Sequence, residues 1–194
     1  MAKVRELKVL KLAKNVEPCQ RNWDRTYTIP KNHLEYICKV ATRMPTKQNK
    51  NSYELYCITN EDIIQKVFEV AYNPDDYDWT YLKNPQTKAN ALFIWTFNNI
   101  KESDPDRNVN IGISAGAASL AAAELGYKTG FCKCFVVNEL KNIVSNHPTH
   151  HPALILGVGK PDKRFRRIDI VENDKKVGVN ISKGPKKISV HYID

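Results

Sequence analysis

Residues 110–135 read NIGISAGAASLAAAELGYKTGFCKCF, and this stretch decides the fold. From Ile111 to Leu125 nearly every residue is apolar or small. No polar face is left for water, and a helix that is apolar all round belongs inside a domain. Gly112 and Gly116 stand four apart, and Ser119 and Ala123 continue the row of small residues. A second backbone can therefore approach closely along that side. Each glycine lowers helix propensity by about 1 kcal/mol relative to alanine, so the row serves contact at the expense of local stability. Gly126 stands where a left-handed C-terminal cap is expected. Tyr127 to Gly130 then read as a turn, and Phe131 to Val137 as a strand.

On the N-terminal side, Val4, Leu7, Leu10 and Ala13 recur at helical spacing in a Lys-rich segment, which predicts an amphipathic helix over residues 3–15 that ends at Pro18. Cys19 to Thr28 is irregular and basic. Ile29-Pro30 opens a second helix whose apolar positions Leu34, Ile37, Cys38 and Ala41 fit one face. Between the two helices lies QRNWDR, a natural loop for grasping a phosphate: Arg21 and Arg25 supply forked donors and Asn22 a neutral one. Thr42 to Ser52 is a polar loop containing PTKQN. Pro45 fixes its backbone, and Thr46, Lys47, Gln48 and Asn49 offer donors to a ring system or phosphate arriving from outside. Tyr53 to Ile58 alternates as a strand does, and Thr59 with Asp62 forms a helix-start signature ahead of Ile63, Ile64, Val67 and Phe68. The segment from Tyr72 to Gln86 is rich in turn formers and aromatics. Tyr77, Trp79 and Tyr81 in it either stack on an aromatic ligand or cover the core. Ala91 to Phe97 reads as a strand, Lys101 to Asn108 as a charged connector, HPTHHP at 147–152 as a loop, Ala153 to Val158 as a strand, and Ile188 to Ile193 as a last strand.

Length and composition narrow the classes. With 194 residues, 42% of them hydrophobic, the chain supports one domain with a substantial core. No run of about 18 apolar residues occurs, and Met1 to Lys14 lacks the hydrophobic centre of a signal peptide, so a soluble cytoplasmic protein without a membrane partner is expected. The five cysteines, Cys19, Cys38, Cys57, Cys132 and Cys134, are odd in number and scattered, which does not suit a disulfide framework. The net charge of +9 is concentrated late: residues 160–187 hold ten Lys or Arg against four acids. That region has no groove-reading motif and no cluster of stacking aromatics, so the charge reads as a solvated surface that also meets an anionic cofactor, and nucleic acid is not the expected partner. Cys132-x-Cys134 and the histidines of HPTHHP lack zinc-type spacing, and no metal is expected. The two thiols share a face if they lie in a strand, and small buried thiols are the common outcome there.

The small-residue helix, Leu125-Gly126, the short turn and the hydrophobic strand that follows together resemble the flavin-dependent nitroreductase family. PTKQN at Pro45 to Asn49 is similar to that family's Pro-Ser-x-x-Asn element. RNWDR occupies the place of its Arg-rich phosphate-binding start, and GVGKPD at 157–162 is similar to its Gly-x-Gly/Tyr-Pro ending of a core strand. The resemblance implies an α+β fold over residues 1–194, a central, mostly antiparallel sheet flanked by helices. It implies a homodimer with the small-residue helix at the interface and the C-terminal segment, residues 180–194, exchanged onto the partner's sheet. It also implies one FMN per interface site.

Residue by residue, the resemblance assigns Arg21 and Asn22, with Arg25 next, to the flavin phosphate, and Arg166 and Arg167 return to it from the C-terminal side. Pro45, Thr46, Lys47 and Asn49 cross to the partner's flavin. Asn84 and Gln86 read the pyrimidine edge, for which an amide's paired donor and acceptor suit. Asn110, Ile113 and Ser114 are flavin neighbours, Phe131 packs on the ring, and Cys132, Lys133 and Cys134 carry the backbone that faces N5. The implied activity is ping-pong hydride transfer from NAD(P)H through FMN to an electron-poor acceptor such as a nitroaromatic or quinone, with no catalytic side chain. Three alternatives stay open at this point: another flavin reaction on the same fold, a non-catalytic flavin- or nucleotide-binding protein, and a basic nucleic-acid-binding module.

Overall fold

The computed structural model describes residues 8–16, 20–49, 53–72, 83–98, 105–144, 150–164, 171–172, 175–176 and 189–191. The N-terminal part of the first predicted helix, the Tyr77–Tyr81 aromatics, Arg166 and Arg167 fall outside them. Chain order is α1 (Lys8–Asn15), α2 (Lys31–Thr42), β1 (Glu54–Ile58), α3 (Glu61–Val70), β2 (Ala91–Asn98), α4 (Pro105–Glu124), β3 (Lys128–Cys132), α5 (Val137–Val144) and β4 (His150–Gly159), followed by the short β5 (Val171–Glu172) and β6 (Lys175–Lys176). Two 3-10 turns, Lys47–Asn49 and Pro85–Lys88, punctuate it. β1 to β4 form one sheet in the order β1-β2-β4-β3, every neighbouring pair antiparallel. This is the α+β arrangement that the sequence implies.

Strand alternation sorts the core into two layers. Phe93, Trp95, Leu156 and Val158 face α2 and α4, where they meet Ile37, Ala41, Ile111, Ala115, Ala118 and Ala122. Leu92, Ile94, Cys132 and Ile155 face the other way, toward Ile64 and Val67 of α3 and Leu140 of α5. The first layer is pinned by a buried relay: Trp95 Nε1 donates to Ser114 Oγ at 2.9 Å, and Ser114 Oγ donates to the Ala41 carbonyl at 2.8 Å. Ser114→Ala leaves the indole N–H without an acceptor in a dry layer. It should destabilise the fold by about 1–3 kcal/mol, seen as a lower urea midpoint with unchanged m-value.

The decisive stretch behaves as a helix, with three corrections. α4 begins at Pro105, so the last part of the predicted connector is its first turn, Pro supplying a preset φ where no helical partner for its nitrogen exists. Gly126 takes φ +76° and ends the helix as expected. The chain reverses there at once, so β3 begins at Lys128 where a turn was expected; Phe131 and Cys132 are strand as expected, but the strand ends there, residues 133–136 are irregular, and Val137 opens α5. The third correction concerns burial. Val109 is 58% and Ile113 41% exposed, and a Cβ placed on Gly112 or Gly116 would meet nothing within 4 Å. One stripe of an all-apolar helix therefore faces away from its own domain.

Smaller differences have local causes. Asn60, not Thr59, caps α3, its side chain accepting from the Ile63 N–H at 3.0 Å. β4 begins at His150, and the register shift opposite Trp95/Thr96 admits Pro152 into the strand. Of the predicted C-terminal strand, Ser189–His191 lie in no strand, and the remainder lies outside the described residues. No described helix is long and apolar enough to cross a membrane.

Candidate functional site

The segment 20–24 runs from the edge of β3 along the residues that follow β4. Gln20 N–H donates to the Thr129 carbonyl at 2.9 Å, the Asp162 N–H donates to the Asn22 carbonyl at 3.0 Å, and the Asp24 N–H donates to the Lys160 carbonyl at 2.9 Å. Trp23, 6% exposed, donates its indole N–H to the Pro85 carbonyl at 2.8 Å and so ties this segment to the Pro85–Lys88 turn. That turn lies flat on the sheet because glycines stand beneath it. A Cβ on Gly157 would collide with the Gln86 carbonyl, and one on Gly130 would come within 2.7 Å of the Gln20 carbonyl. Gly130 reads as a turn residue in the sequence; its use is this close approach within a strand.

These contacts assemble one cluster on the α3 side of the sheet. Asn84 Oδ1 accepts from the Gln86 N–H at 3.0 Å, and Asn84 Nδ2 donates to Gln86 Oε1 at 3.0 Å and to Cys132 Sγ at 3.2 Å. Cys132 Sγ donates to the Cys134 carbonyl at 3.3 Å. Burial pushes the Cys132 thiol up to about 12, and the Arg21 guanidinium nearby pulls the other way. Cys132 is thus a neutral buried thiol linking two strand-end elements. Arg21 is the unusual member: its Nε is buried and has no hydrogen-bond partner. A buried guanidinium donor without an acceptor is costly unless a ligand supplies one. Lys133 and Cys134, just after β3, are exposed at the edge of this cluster.

Other predicted residues have protein partners of their own. Arg25 donates from Nη1 to the Lys88 and Ala89 carbonyls, both at 2.6 Å, and pairs with Glu61 through Nη2 at 2.7 Å. Asn22 donates to the Asp162 carbonyl at 2.7 Å and accepts from Gln20 Nε2 at 2.6 Å, stapling the two segments. Phe131 packs into the layer of α2 and α4, on the opposite face from Cys132.

A second cluster forms on that opposite face. Lys47 N–H donates to Asn110 Oδ1 at 3.0 Å, and Lys47 Nζ to Asp106 Oδ2 at 2.7 Å, docking the PTKQN loop onto the first turns of α4. Gln48 and Asn49 both have positive φ, 56° and 53°, a conformation non-glycine residues adopt rarely and mostly where surroundings require it. Pro45, Lys47 and Asn49 are exposed and Thr46 partly so. Ile113 stands next to them on the open stripe of α4, while Ser114 points into the core relay already described. Two residue groups predicted to meet one ligand therefore sit on opposite faces of the sheet within a single chain.

Comparison with known proteins identifies the fold. The family model described as the nitroreductase family matches residues 19–160. Among solved structures, the chain is similar to a nitroreductase with bound FMN from Desulfitobacterium hafniense DCB-2, with 15% identity, 98% of this chain and 100% of that chain covered, and a TM-score of 0.72. It is also similar to nitroreductase family proteins from Clostridium novyi NT (14% identity, 81% and 87% covered, TM-score 0.69) and Clostridium difficile 630 (23% identity, 79% and 84% covered, TM-score 0.64). No curated protein matches the sequence. With the family model covering residues 19–160 and the fold shared along most of the chain, the protein belongs to the nitroreductase family, the FMN-dependent oxidoreductases.

Proposed function

We propose that this chain binds FMN between two copies of itself and works as an NAD(P)H-dependent reductase of small electron-poor acceptors, nitroaromatics or quinones. The observation that carries the reading is the buried Arg21 Nε without an acceptor, near the Cys132 thiol that Asn84 contacts. A cation with an unmet donor, near a neutral thiol that an amide holds, suits an anionic, hydrogen-bonding ring cofactor. FMN held there would supply two-electron hydride chemistry between NAD(P)H and the acceptor.

The residues contribute position and charge. Arg21 meets the flavin's anionic phosphate, with Asn22 holding the segment in place through Asp162 and Gln20. Gln86 and Asn84 present amides to the pyrimidine edge. Lys133 and Cys134 carry the backbone at N5, and the Cys132 contact with the Cys134 carbonyl fixes that turn. Arg166 and Arg167 return to the phosphate from the C-terminal side.

The PTKQN loop reaches the flavin of the other subunit. Support comes from the open stripe of α4, where Val109 and Ile113 are exposed and Gly112 and Gly116 leave room for a second backbone. Pairing two copies along this stripe joins the opposite-face groups into shared sites, and Lys47 with Asn110 sets the angle at which the loop crosses. Residues 180–194 lie across the partner's sheet in this reading, and the protein works in the cytoplasm.

Initial rates measured with NADPH and a quinone varied together should give parallel double-reciprocal lines, because donor and acceptor would use one site in turn. Intersecting lines contradict the ping-pong scheme.

A further inference from the structure

Cys38 and Cys57 belong to neither cluster, yet the fold brings them together. Cys38 lies on α2 and packs against the layer that contains Phe93 and Trp95. Along β1, Tyr56 and Ile58 face α3, while Tyr53 and Leu55 face α2, and Cys57 shares the parity of the latter pair. The Tyr53 hydroxyl donates to the Ala41 carbonyl at 3.2 Å, which holds α2 against the start of β1. Cys38 is half-buried and Cys57 exposed, and neither is in a disulfide. Cys57 stands opposite Phe93 in the strand register, a side chain of the layer against which Cys38 packs, and each thiol acts on the other's ionisation: the Cys57 side chain pulls Cys38 down and Cys38 pushes Cys57 up. The nucleophilic thiolate of such a pair is held by its neighbour's proton, and the neighbour is placed to resolve whatever the thiolate becomes.

We propose that Cys38 and Cys57 are a peroxide-oxidised dithiol that closes into an intramolecular disulfide between α2 and β1. The Cys38 thiolate attacks one oxygen of hydrogen peroxide, the O–O bond breaks, and hydroxide leaves to become water with the proton that the thiol gave up. The product is a sulfenic acid at Cys38. Cys57 sulfur then attacks the Cys38 sulfur, the S–O bond breaks, and the hydroxyl departs as water with the Cys57 proton. Two thiols and one peroxide give one disulfide and two waters, the pair losing two electrons to the peroxide. The new bond fastens α2, whose C-terminal end launches the PTKQN loop, to an edge strand of the sheet.

The test uses the full chain, reduced, freed of reductant and exposed to one equivalent of hydrogen peroxide. After alkylation and tryptic digestion, the peptide Asn32–Lys39 should be found linked to Asn51–Lys66. The link should vanish on treatment with dithiothreitol. The Cys57→Ser variant, checked for native circular dichroism, should lose the link and accumulate a dimedone-reactive sulfenic acid at Cys38. Thiols of Cys38 and Cys57 that remain free, a link confined to Cys132 and Cys134, or progression of Cys38 to sulfinic acid without a link each overturn the proposal. The readout is the same with or without flavin, so its failure is distinct from failure of the FMN reading.

Discussion

Arg21→Ala is expected to weaken FMN binding by roughly 30- to 150-fold, the equivalent of about 2–3 kcal/mol for a charge-assisted contact to an anion in a partly buried setting. The same variant without FMN should be no less stable than the parent. The Nε of Arg21 is buried and makes no hydrogen bond, so removing the side chain withdraws a desolvated donor and forfeits none at that atom. This pairing of effects separates a ligand-binding arginine from a structural one. Fluorescence titration with FMN and urea denaturation of the apoprotein measure the two halves. An unchanged affinity, or an apoprotein destabilised by more than about 1 kcal/mol, contradicts the role given to Arg21, since a loss of that size marks a removed structural interaction.

Gly112→Leu carries the second large effect. Within one chain the substitution is harmless: nothing lies within 4 Å of the new Cβ, and a leucine in a helix interior gains about 0.8 kcal/mol over glycine in propensity. Across a two-fold interface each substitution appears twice, and extra bulk in a close-packed contact costs about 1–3 kcal/mol per site. The dimer should weaken by about 2–6 kcal/mol, roughly 30- to 20,000-fold in dissociation constant. Light scattering after size exclusion should find dimers for the parent chain and monomers for the variant at micromolar concentration. The variant should also lose flavin, because in the proposed dimer each site is built from two chains. A parent that is monomeric, or a variant that remains fully dimeric, contradicts the interface.

How far the sequence reaches is clear from these two residues. The helix around Gly112 is legible because apolar periodicity and Gly126 mark its body and its end. Its row of small residues is legible as a place of close approach, but its exposure within one chain is not, because an apolar residue looks the same whether its cover comes from its own domain or from a second copy. The first residues of β3, Lys128 to Gly130, are misread as a turn for a related reason. Gly130 lacks a side chain to admit Gln20 and Gln86 from other segments, and nothing local to Gly130 records that. α5 is hidden because FCKCFVV looks like continuous strand until Leu140 and Ile143 turn toward α3 and β4. The site follows the same rule. RNWDR and PTKQN are visible as motifs, yet Arg25 spends its donors on Lys88, Ala89 and Glu61, residues that only the folded chain brings near. The link from Asn84 to Cys132, forty-eight positions apart, has no sequence signature at all.

The central claim is that the chain holds a reducible FMN. The visible absorption spectrum of the purified protein, recorded before and after anaerobic addition of NADPH and then NADH, tests it most directly. The two bands of oxidised flavin that bleach on addition of a nicotinamide donor are the predicted result. A colourless protein that also fails to take up added FMN contradicts the account.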